Sequence, residues 1–317
     1  MGNNRCKNRR LMIPIILLFF LLLIYPFSEK SFQNDPIKPN GSNISAKIDV
    51  GPIDISSDSD FLLYASEGDG TAGNPYIIRD YIINVTGTSY IGLLIEHTSA
   101  HFIVRNCTIL ANPNAAALAI ESIASGTGTA ENNTILGGFR CITMGYSHGV
   151  KVIGNNLSNS IQVCLEIWRS NGTLVVNNIL KNEVRSGPGI GVTENSNITL
   201  IGNTIHTFGT GIGTNDVENL LVCNNTIVNC STGIRFIECT NSHIINCSFI
   251  DCADYSMFYN LGDLSDQNWI FDNHFINAGI YIHSGNYNQK IFHNVFEGSF
   301  AVHDSGSSNV WYESKKF

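Results

Sequence analysis

Three acidic residues recur at equal spacing in the middle of the chain: Glu194, Asp216 and Glu238 lie 22 residues apart. If the chain coils with that period, the three carboxylates lie side by side at about 5 Å, the distance between neighbouring strands. Adjacent carboxylates suit calcium, which prefers oxygen ligands, or the general acid and base of glycosidic bond cleavage. They are equally compatible with a solvated acidic face, because their repulsion in water is only about 1 kcal/mol per pair.

Aromatic and basic residues occupy the matching position in the preceding repeats. Tyr146 and Arg169 precede Glu194 at similar spacing, and Trp168 lies next to Arg169. An exposed aromatic ring buries the apolar face of a sugar without needing polar partners, although packing beneath a neighbouring loop would explain the same residues. We therefore predict two sets of site residues, with calcium as the candidate ion of the second: a carbohydrate-binding set of Tyr146, Trp168, Arg169 and Arg235, and a metal set of Glu194, Asp216 and Glu238.

These side chains come together only if the backbone repeats, and a recurring sequence motif that begins with asparagine indicates such a repeat. The chain reads G-N-T-I-H-T-F-G-T-G-I-G from Gly202 and N-N-T-I-V-N-C-S-T-G-I-R from Asn224. A fixed period of this size indicates one structural unit stacked on copies of itself. The asparagine, or a cysteine in its place, recurs 21 to 26 residues apart at Asn84, Cys107, Asn133, Asn155, Asn177, Asn203, Asn225, Cys247, Asn273 and Asn294.

The segments between the asparagines are typical of short strands. Apolar runs of three to five residues, rich in Val and Ile, are separated by Asn, Gly, Ser and Thr, which favour tight turns. No coil has the long 3.6-residue periodicity of a helical repeat, and leucine is too scattered for a leucine-rich repeat. The sequence therefore predicts an all-β, single-stranded parallel β-helix of about nine to ten coils over residues 58–317. Its asparagine side chains would hydrogen-bond from coil to coil.

The N-terminal 27 residues have the character of an export signal. The first ten contain four basic residues and no acid, and residues 11–25 are almost wholly apolar, which predicts a hydrophobic helix. Its length leaves open a cleaved signal peptide or an uncleaved signal-anchor in the membrane, and either way the remainder is exported. Residues 28–57 predict a flexible linker, and Asp58–Tyr64 a short strand or helix that caps the first coil.

The charge of the exported part excludes one class of partner. Without residues 1–27 the chain has 14 basic and 26 acidic residues, a net charge of about −12. Nucleic acid is therefore not expected as a partner, because phosphate binding needs a basic surface.

The nine cysteines include two pairs at matching positions of neighbouring coils, Cys141 with Cys164 and Cys230 with Cys252. Two interpretations stay open. The cysteines are small buried residues in stacks, or they form one or two disulfides outside the cell.

A narrower motif stands before the repeats. The chain reads G-D-G-T from Gly68 and P-Y-I-I from Pro75, followed by N-N-T-I coils. This combination resembles the NosD-type right-handed β-helix proteins, relatives of the pectate-lyase-like superfamily, across about residues 58–310. The resemblance implies a right-handed coil and two activities: copper delivery, from the family's name, and action on polysaccharides, from the wider superfamily.

The residues argue against copper delivery. Cu(I) sites are built from clusters of Met, Cys and His, and two of the four methionines lie in the export segment. The other two, Met144 and Met257, fall at strand positions expected to face the core.

We therefore predict an extracellular or cell-surface β-helix protein, membrane-anchored or secreted, with a non-catalytic carbohydrate-binding or structural role. Its partners would be a polysaccharide or cell-surface glycan and, through the N-terminal segment, the membrane. The alternative is a polysaccharide lyase or glycoside hydrolase acting on the outward face of one parallel sheet.

Overall fold

The computed structural model describes residues 47–259 and 265–312, together with residues 315 and 316. The predicted hydrophobic helix of residues 1–27, and the linker up to residue 46, lie outside these described residues. Within them, no helix has both the length and the apolar character needed to cross a membrane.

The described chain winds into a parallel β-helix, as the repeat predicts. Each coil adds one strand to each of three parallel sheets, in the order sheet 1, sheet 2, sheet 3. Over the described residues the sheets contain twelve, twelve and eleven strands, one of them, Cys239–Thr240, off the main path of the second sheet. The coil has about ten turns, in agreement with the nine to ten predicted.

The strands are mostly three to six residues long. Sheet 1 comprises β1 (Ile48–Val50), β4 (Tyr81–Asn84), β7 (Thr108–Ala111), β10 (Thr134–Gly137), β13 (Asn156–Ser158), β16 (Ile179–Lys181), β19 (Thr204–His206), β22 (Thr226–Val228), β26 (Ser248–Ile250), β29 (His274–Ile276), β32 (Val295–Glu297) and β35 (Lys315–Lys316). Sheet 2 comprises β2 (Ile53–Ile55), β5 (Leu93–Glu96), β8 (Ala116–Glu121), β11 (Arg140–Gly145), β14 (Val163–Trp168), β17 (Pro188–Ser196), β20 (Thr210–Glu218), β23 (Thr232–Phe236), β24 (Cys239–Thr240), β27 (Tyr255–Tyr259), β30 (Ile280–Ile282) and β33 (Val302–Asp304). Sheet 3 comprises β3 (Tyr76–Arg79), β6 (Phe102–Arg105), β9 (Gly128–Glu131), β12 (Lys151–Ile153), β15 (Leu174–Val176), β18 (Thr199–Ile201), β21 (Leu221–Cys223), β25 (His243–Ile245), β28 (Trp269–Phe271), β31 (Lys290–Phe292) and β34 (Val310–Tyr312).

The core is a set of apolar columns inside the coil. Because side chains alternate along a strand, every second residue of each short run points inward and stacks on its counterpart in the next coil. Phe249, Phe275 and Phe296 form such a column, with ring centroids 5.0 and 4.8 Å apart. Met144 and Met257 are fully buried, as predicted.

The predicted asparagine ladder is confirmed, with one change of register. The Oδ1 atom of each member accepts the backbone N–H of the member before it, at 2.8 to 2.9 Å between Asn133, Asn155, Asn178, Asn203 and Asn225. Cys107 and Cys247 occupy the same slot and donate their N–H groups to the next asparagine, each at 2.9 Å.

The prediction that Asn177 belongs to this ladder is wrong by one residue, because its neighbour Asn178 takes the position. Leu180 pairs with Leu157 and points inward, whereas Ile179 is 51% exposed. Asn84 also lies outside the ladder, since it pairs with Leu110, three residues beyond Cys107. At Asn177 and Asn178 an asparagine is followed two residues later by an aliphatic residue in either register, so the motif alone does not fix the alignment there.

The β-helix domain begins before residue 58, the boundary predicted from the sequence. β1 pairs with β4 and β2 pairs with β5, so residues 48–55 already form the first coil within the segment predicted as linker. The predicted cap is a 3-10 turn, Asp58–Asp60, followed by one helical turn, Phe61–Tyr64. Phe61 is fully buried and its ring lies 5.0 Å from that of Tyr76, so the turn covers the end of the core.

The cap is attached to the next coil through one carboxylate. Asp58 accepts hydrogen bonds from the backbone N–H and hydroxyl of Ser99, at 2.8 and 2.6 Å, and from the N–H of Ala100 at 3.0 Å. The Ser99 hydroxyl is the main reason that the pKa of Asp58 falls from 3.8 to about 2.

We expect Asp58→Ala to lower the free energy of unfolding of the N-terminal coils by about 1 kcal/mol, a value reduced for solvent exposure. Because the folded pKa is depressed, this stabilisation is present above pH 3.8 and is lost as the pH falls towards 2. Hydrogen exchange of residues 58–100 measures the effect, with the exposed Asp54→Ala as control. Equal exchange in the two variants would contradict the role of Asp58.

The cysteines are small buried residues in stacks, the first of the two interpretations. All eight cysteines among the described residues are unpaired, and all but Cys223 are buried. Cys141 and Cys164 do stack on one another, with their Sγ atoms 3.5 Å apart.

Candidate functional site

The outward face of sheet 2 carries the residues singled out in the sequence. In β11, Ile142 and Met144 are buried in the core, so the alternation points Thr143 and Gly145 outward. The register places Thr143 opposite Glu166, and Gly145 opposite Trp168. Glu166 is in turn opposite Gly191 in β17 and then Gly213 in β20. Thr143, Glu166, Trp168 and the glycines paired with them therefore lie on the outward face of sheet 2.

The chain bends after the outward pair, and the five residues at this bend form what we name the bend column. Its members have φ angles between 46° and 54°, in the left-handed region, and they are Tyr146, Arg169, Glu194, Asp216 and Glu238. Asn, Asp and Gly tolerate this conformation best, and the bend before the asparagine ladder uses mainly these residues, for example Asn132, Gly154 and Asn224. Tyr, Arg and Glu adopt it at a cost of about 1 kcal/mol or more. The bend column thus accepts backbone strain to present large side chains.

Arg169 holds two aromatic rings in place. The rings of Tyr146 and Trp168 meet edge to face with centroids 4.9 Å apart. The Arg169 guanidinium lies 4.9 Å from the Trp168 centroid and 5.6 Å from that of Tyr146, and its Nη1 donates to the Tyr146 hydroxyl at 2.6 Å. Tyr146 is 43% and Trp168 36% exposed. The result is a fixed aromatic pair that faces solvent.

The same guanidinium binds the first acid of the bend column. Arg169 Nε donates to Glu194 Oε2 at 2.6 Å, and Nη2 lies 2.5 Å from the same oxygen. These bonds to Glu194, followed by that to Tyr146, raise the pKa of Arg169. Arg169 is therefore a permanently charged positioning residue.

A second charged group adjoins the aromatic pair, and the sequence reading missed its importance. Glu166 Oε2 lies 2.7 Å from Arg140 Nε and accepts a hydrogen bond from the Thr143 hydroxyl at 2.9 Å. From the other side, the Glu121 carboxylate lies directly over Gly145, where a Cβ atom would be 2.1 Å from Glu121 Oε2. Both carboxylates therefore reach over β11.

Glu121 is electrostatically unfavourable as a carboxylate. Burial, and then the negative charges of Glu166 and Glu96, raise its pKa above the ordinary 4.5, while Arg140 opposes the shift. The sequence does contain one sign of this arrangement, Gly145. A glycine on the outward face leaves room above it for the carboxylate of a residue in the neighbouring coil.

Arg235, Asp216 and Glu238 belong to more distant coils. Arg235 pairs with Gly213, and three strand spacings separate its strand β23 from β14, which carries Trp168. At about 4.8 Å per spacing this is about 14 Å, so the structure does not bring Arg235 to the aromatic pair. Asp216 and Glu238 are stacked neighbours, as their backbones show, and Glu194 is engaged by Arg169. These three carboxylates do not converge on a common point, since no three His, Cys, Asp or Glu side chains of the described residues do, and calcium binding by them stays a prediction.

Comparison with known families gives two matches, each covering more than half of the chain. The family described as "Right handed beta helix region" matches residues 140–310. The family described as "Periplasmic copper-binding protein (NosD)" matches residues 34–204. No individual curated protein sequence matches the chain.

Solved structures share the architecture at low sequence identity. The A-module of the mannuronan C-5 epimerase AlgE6 from Azotobacter vinelandii is 12% identical, with a TM-score of 0.55, over 86% of this chain and 91% of that one. PfbA, a surface adhesin of Streptococcus pneumoniae, is 12% identical over 83% and 91% of the two chains, with a TM-score of 0.43. The periplasmic alginate epimerase AlgG is 12% identical over 86% and 84%, also with a TM-score of 0.43. At 12% identity, the likeness to the AlgE6 module is one of fold alone.

The copper named in the family description does not fit the described residues. Copper binding requires converging sulfur and nitrogen donors, and no three His, Cys, Asp or Glu side chains within residues 47–259 and 265–312 converge on a common point. Burial raises the pKa of both Cys247 and Cys252 to about 12, which disfavours the thiolate form that binds metals. Met144 and Met257 are enclosed in the core.

Proposed function

The chain belongs to the NosD family of right-handed β-helix proteins, and from this premise we propose that it binds carbohydrate, without cleaving it, on the outward face of sheet 2. We place the protein outside the cytoplasm, at the cell surface or in the periplasm, which agrees with the family description and with the export signal of residues 1–27.

One observation carries the proposal: the exposed Tyr146–Trp168 pair is fixed in place by Arg169. Aromatic rings that are rigid before binding lose little conformational entropy when a sugar stacks on them. The edge-to-face contact and the guanidinium restrict both rings, so the pair is preorganised and still open to solvent. Packing under a neighbouring loop, the alternative explanation for these residues, would have buried them.

The neighbouring side chains favour binding over cleavage. Arg169 is held by Glu194 and Tyr146, and its pKa is raised, so it is not a base that could remove a proton from a sugar, as a lyase requires. Glu166 is held by Arg140 and Thr143. The charged groups around the rings thus hold one another in place and are not free to act as a catalytic acid or base.

A second candidate function, glycoside hydrolysis, is favoured by Glu121 alone. A carboxyl group with a raised pKa, facing a second carboxylate such as Glu166, is the arrangement used for general acid catalysis on glycosidic bonds. New reducing ends released from a bound oligosaccharide, and their loss in Glu121→Gln, would establish this function in place of simple binding.

We expect Trp168→Ala to weaken oligosaccharide binding at least tenfold, about 1.4 kcal/mol, because the stacking surface is removed. Isothermal titration with the oligosaccharide that binds best on a glycan array measures the change. Trp269→Ala is the matched control, since Trp269 is a half-buried tryptophan on sheet 3 that also has a cation, Lys290, 4.5 Å from its ring centroid. Equal losses in both variants, or no binding to any glycan, would overturn the proposal.

A further inference from the structure

We propose that the carbohydrate bound on this face carries free amino groups, as in a glucosamine polymer, and that Glu121 and Glu166 bind one ammonium group beside the aromatic pair. The inference rests on the proposed function and specifies its ligand. Its basis is the combination of an exposed stacking surface with a local surplus of negative charge.

The charges around the aromatic pair do not balance. Arg169 is neutralised by Glu194, and Arg140 by Glu166. Among the residues of strands β5 to β17, Glu121 has no cation within ion-pair distance, and Glu96 faces only His97, whose Nδ1 lies 3.7 Å from Glu96 Oε2. The charged or titratable groups that face Glu121 are Glu96 and His97 from β5 and the residue after it, Arg140 from β11, and Glu166 from β14.

The position of Glu121 suits a ligand that stacks on Trp168. Gly145 lies between them: it pairs with Glu121 on one side and with Trp168 on the other. Since the Glu121 carboxylate lies over Gly145, a pyranose ring stacked on Trp168 extends towards that carboxylate across about 5 Å, one strand spacing.

Glu166 reaches over the same strand, β11, from the opposite side. Its carboxylate is anchored over Thr143, two residues from Gly145, which corresponds to about 7 Å along a strand. An ammonium group between the two carboxylates supplies the positive charge that Glu121 lacks, and it removes the repulsion between them. Ammonium is a compact cation with three donors, which matches two carboxylates that approach from different sides.

Other sugar classes lack this complementarity. A uronate polymer places further carboxylates next to Glu96, Glu121 and Glu166, where like charges repel. A neutral or N-acetylated polymer stacks on the aromatic pair but leaves the Glu121 charge without compensation.

Calorimetric titration of the whole exported chain with three hexasaccharides tests the proposal: β-1,4-linked glucosamine, its N-acetylated form, and mannuronate. We expect the glucosamine hexamer to bind at least tenfold more tightly than the other two. Its affinity should rise as the pH increases above 4.5, the ordinary pKa of a glutamate, because Glu121 loses its proton over a higher range. It should fall again at higher pH, once the sugar amino groups lose their protons and their charge. The affinity should also fall with added salt.

The isosteric variant Glu121→Gln should lose this preference, binding glucosamine about tenfold more weakly while keeping its affinity for the N-acetylated form. Glu218→Gln, at an exposed carboxylate near the end of β20, is the control and should behave like the unchanged protein. If the N-acetylated or the mannuronate hexamer binds as tightly as glucosamine, or if Glu121→Gln changes nothing, the inference fails while the proposed function stands. If none of the three binds, and the glycan array is also negative, the proposed function itself fails.

Discussion

Asn203→Ala is expected to lower the free energy of unfolding by about 3 kcal/mol, since it breaks the asparagine ladder at its centre. The Asn203 Oδ1 atom accepts the backbone N–H of Asn178 at 2.9 Å, and its Nδ2 donates to the carbonyl of Val175 at 3.0 Å and to Asn225 Oδ1 at 2.9 Å. Asn203 is fully buried. Alanine leaves the Asn178 N–H without an acceptor where water does not reach, and a buried unpaired group costs about 1–3 kcal/mol by itself.

Chemical denaturation followed by circular dichroism measures this loss. Asn215→Ala is the matched control, because Asn215 is exposed in the following coil and its φ angle is not in the left-handed region. Unfolding curves that coincide for the two variants would show that the ladder does not stabilise the coil. A β-helix is quasi-one-dimensional, so the effect should also appear in hydrogen exchange of the two adjacent coils before it reaches either end.

The ladder shows how far a repeated phrase determines the fold. The asparagine recurs because it satisfies buried backbone groups at each coil, and this is a requirement that sequence spacing records directly. The register at Asn177–Asn178 was missed, since two asparagines followed by two aliphatic residues satisfy the pattern equally well. Pairing with neighbouring strands decides between them, and that information is not local.

The candidate site, like the ladder, was predictable from the sequence in its spacing but not in its side-chain contacts. The spacing from Tyr146 to Glu238 reflects one bend per coil, so the bend column could be read from the sequence. The part played by Glu121 could not, because its carboxylate lies over Gly145 of the next coil, and its raised pKa depends on charges from β5 and β14. The ion pair between Arg169 and Glu194 was also missed, because a side chain's choice between two neighbours depends on rotamers that spacing does not specify.

A second large effect is expected where sheet 1 turns into sheet 2. Small residues occupy one position in successive coils, immediately before the first inward residue of each sheet 2 strand: Ala117, Cys141, Cys164, Gly189, Gly211 and Gly233. At Gly211 an added Cβ atom would lie 2.6 Å from the Gly233 carbonyl oxygen and 2.6 Å from Ile227 Cγ2. The inner side of the turn therefore has no room for a methyl group in this part of the coil.

We expect Gly211→Ala to lower the free energy of unfolding by about 2–3 kcal/mol, because backbone and core must move apart to accept the methyl group. Gly213→Ala provides a control two residues away in the same strand. There the added Cβ atom would lie 3.4 Å from Pro188 Cγ, an ordinary contact, and the variant should be stabilised by about 0.5 kcal/mol through the lower entropy of its unfolded chain. Thermal unfolding of both variants tests the pair, and a shift of the same sign in both would contradict the inward and outward assignment on which the binding face depends.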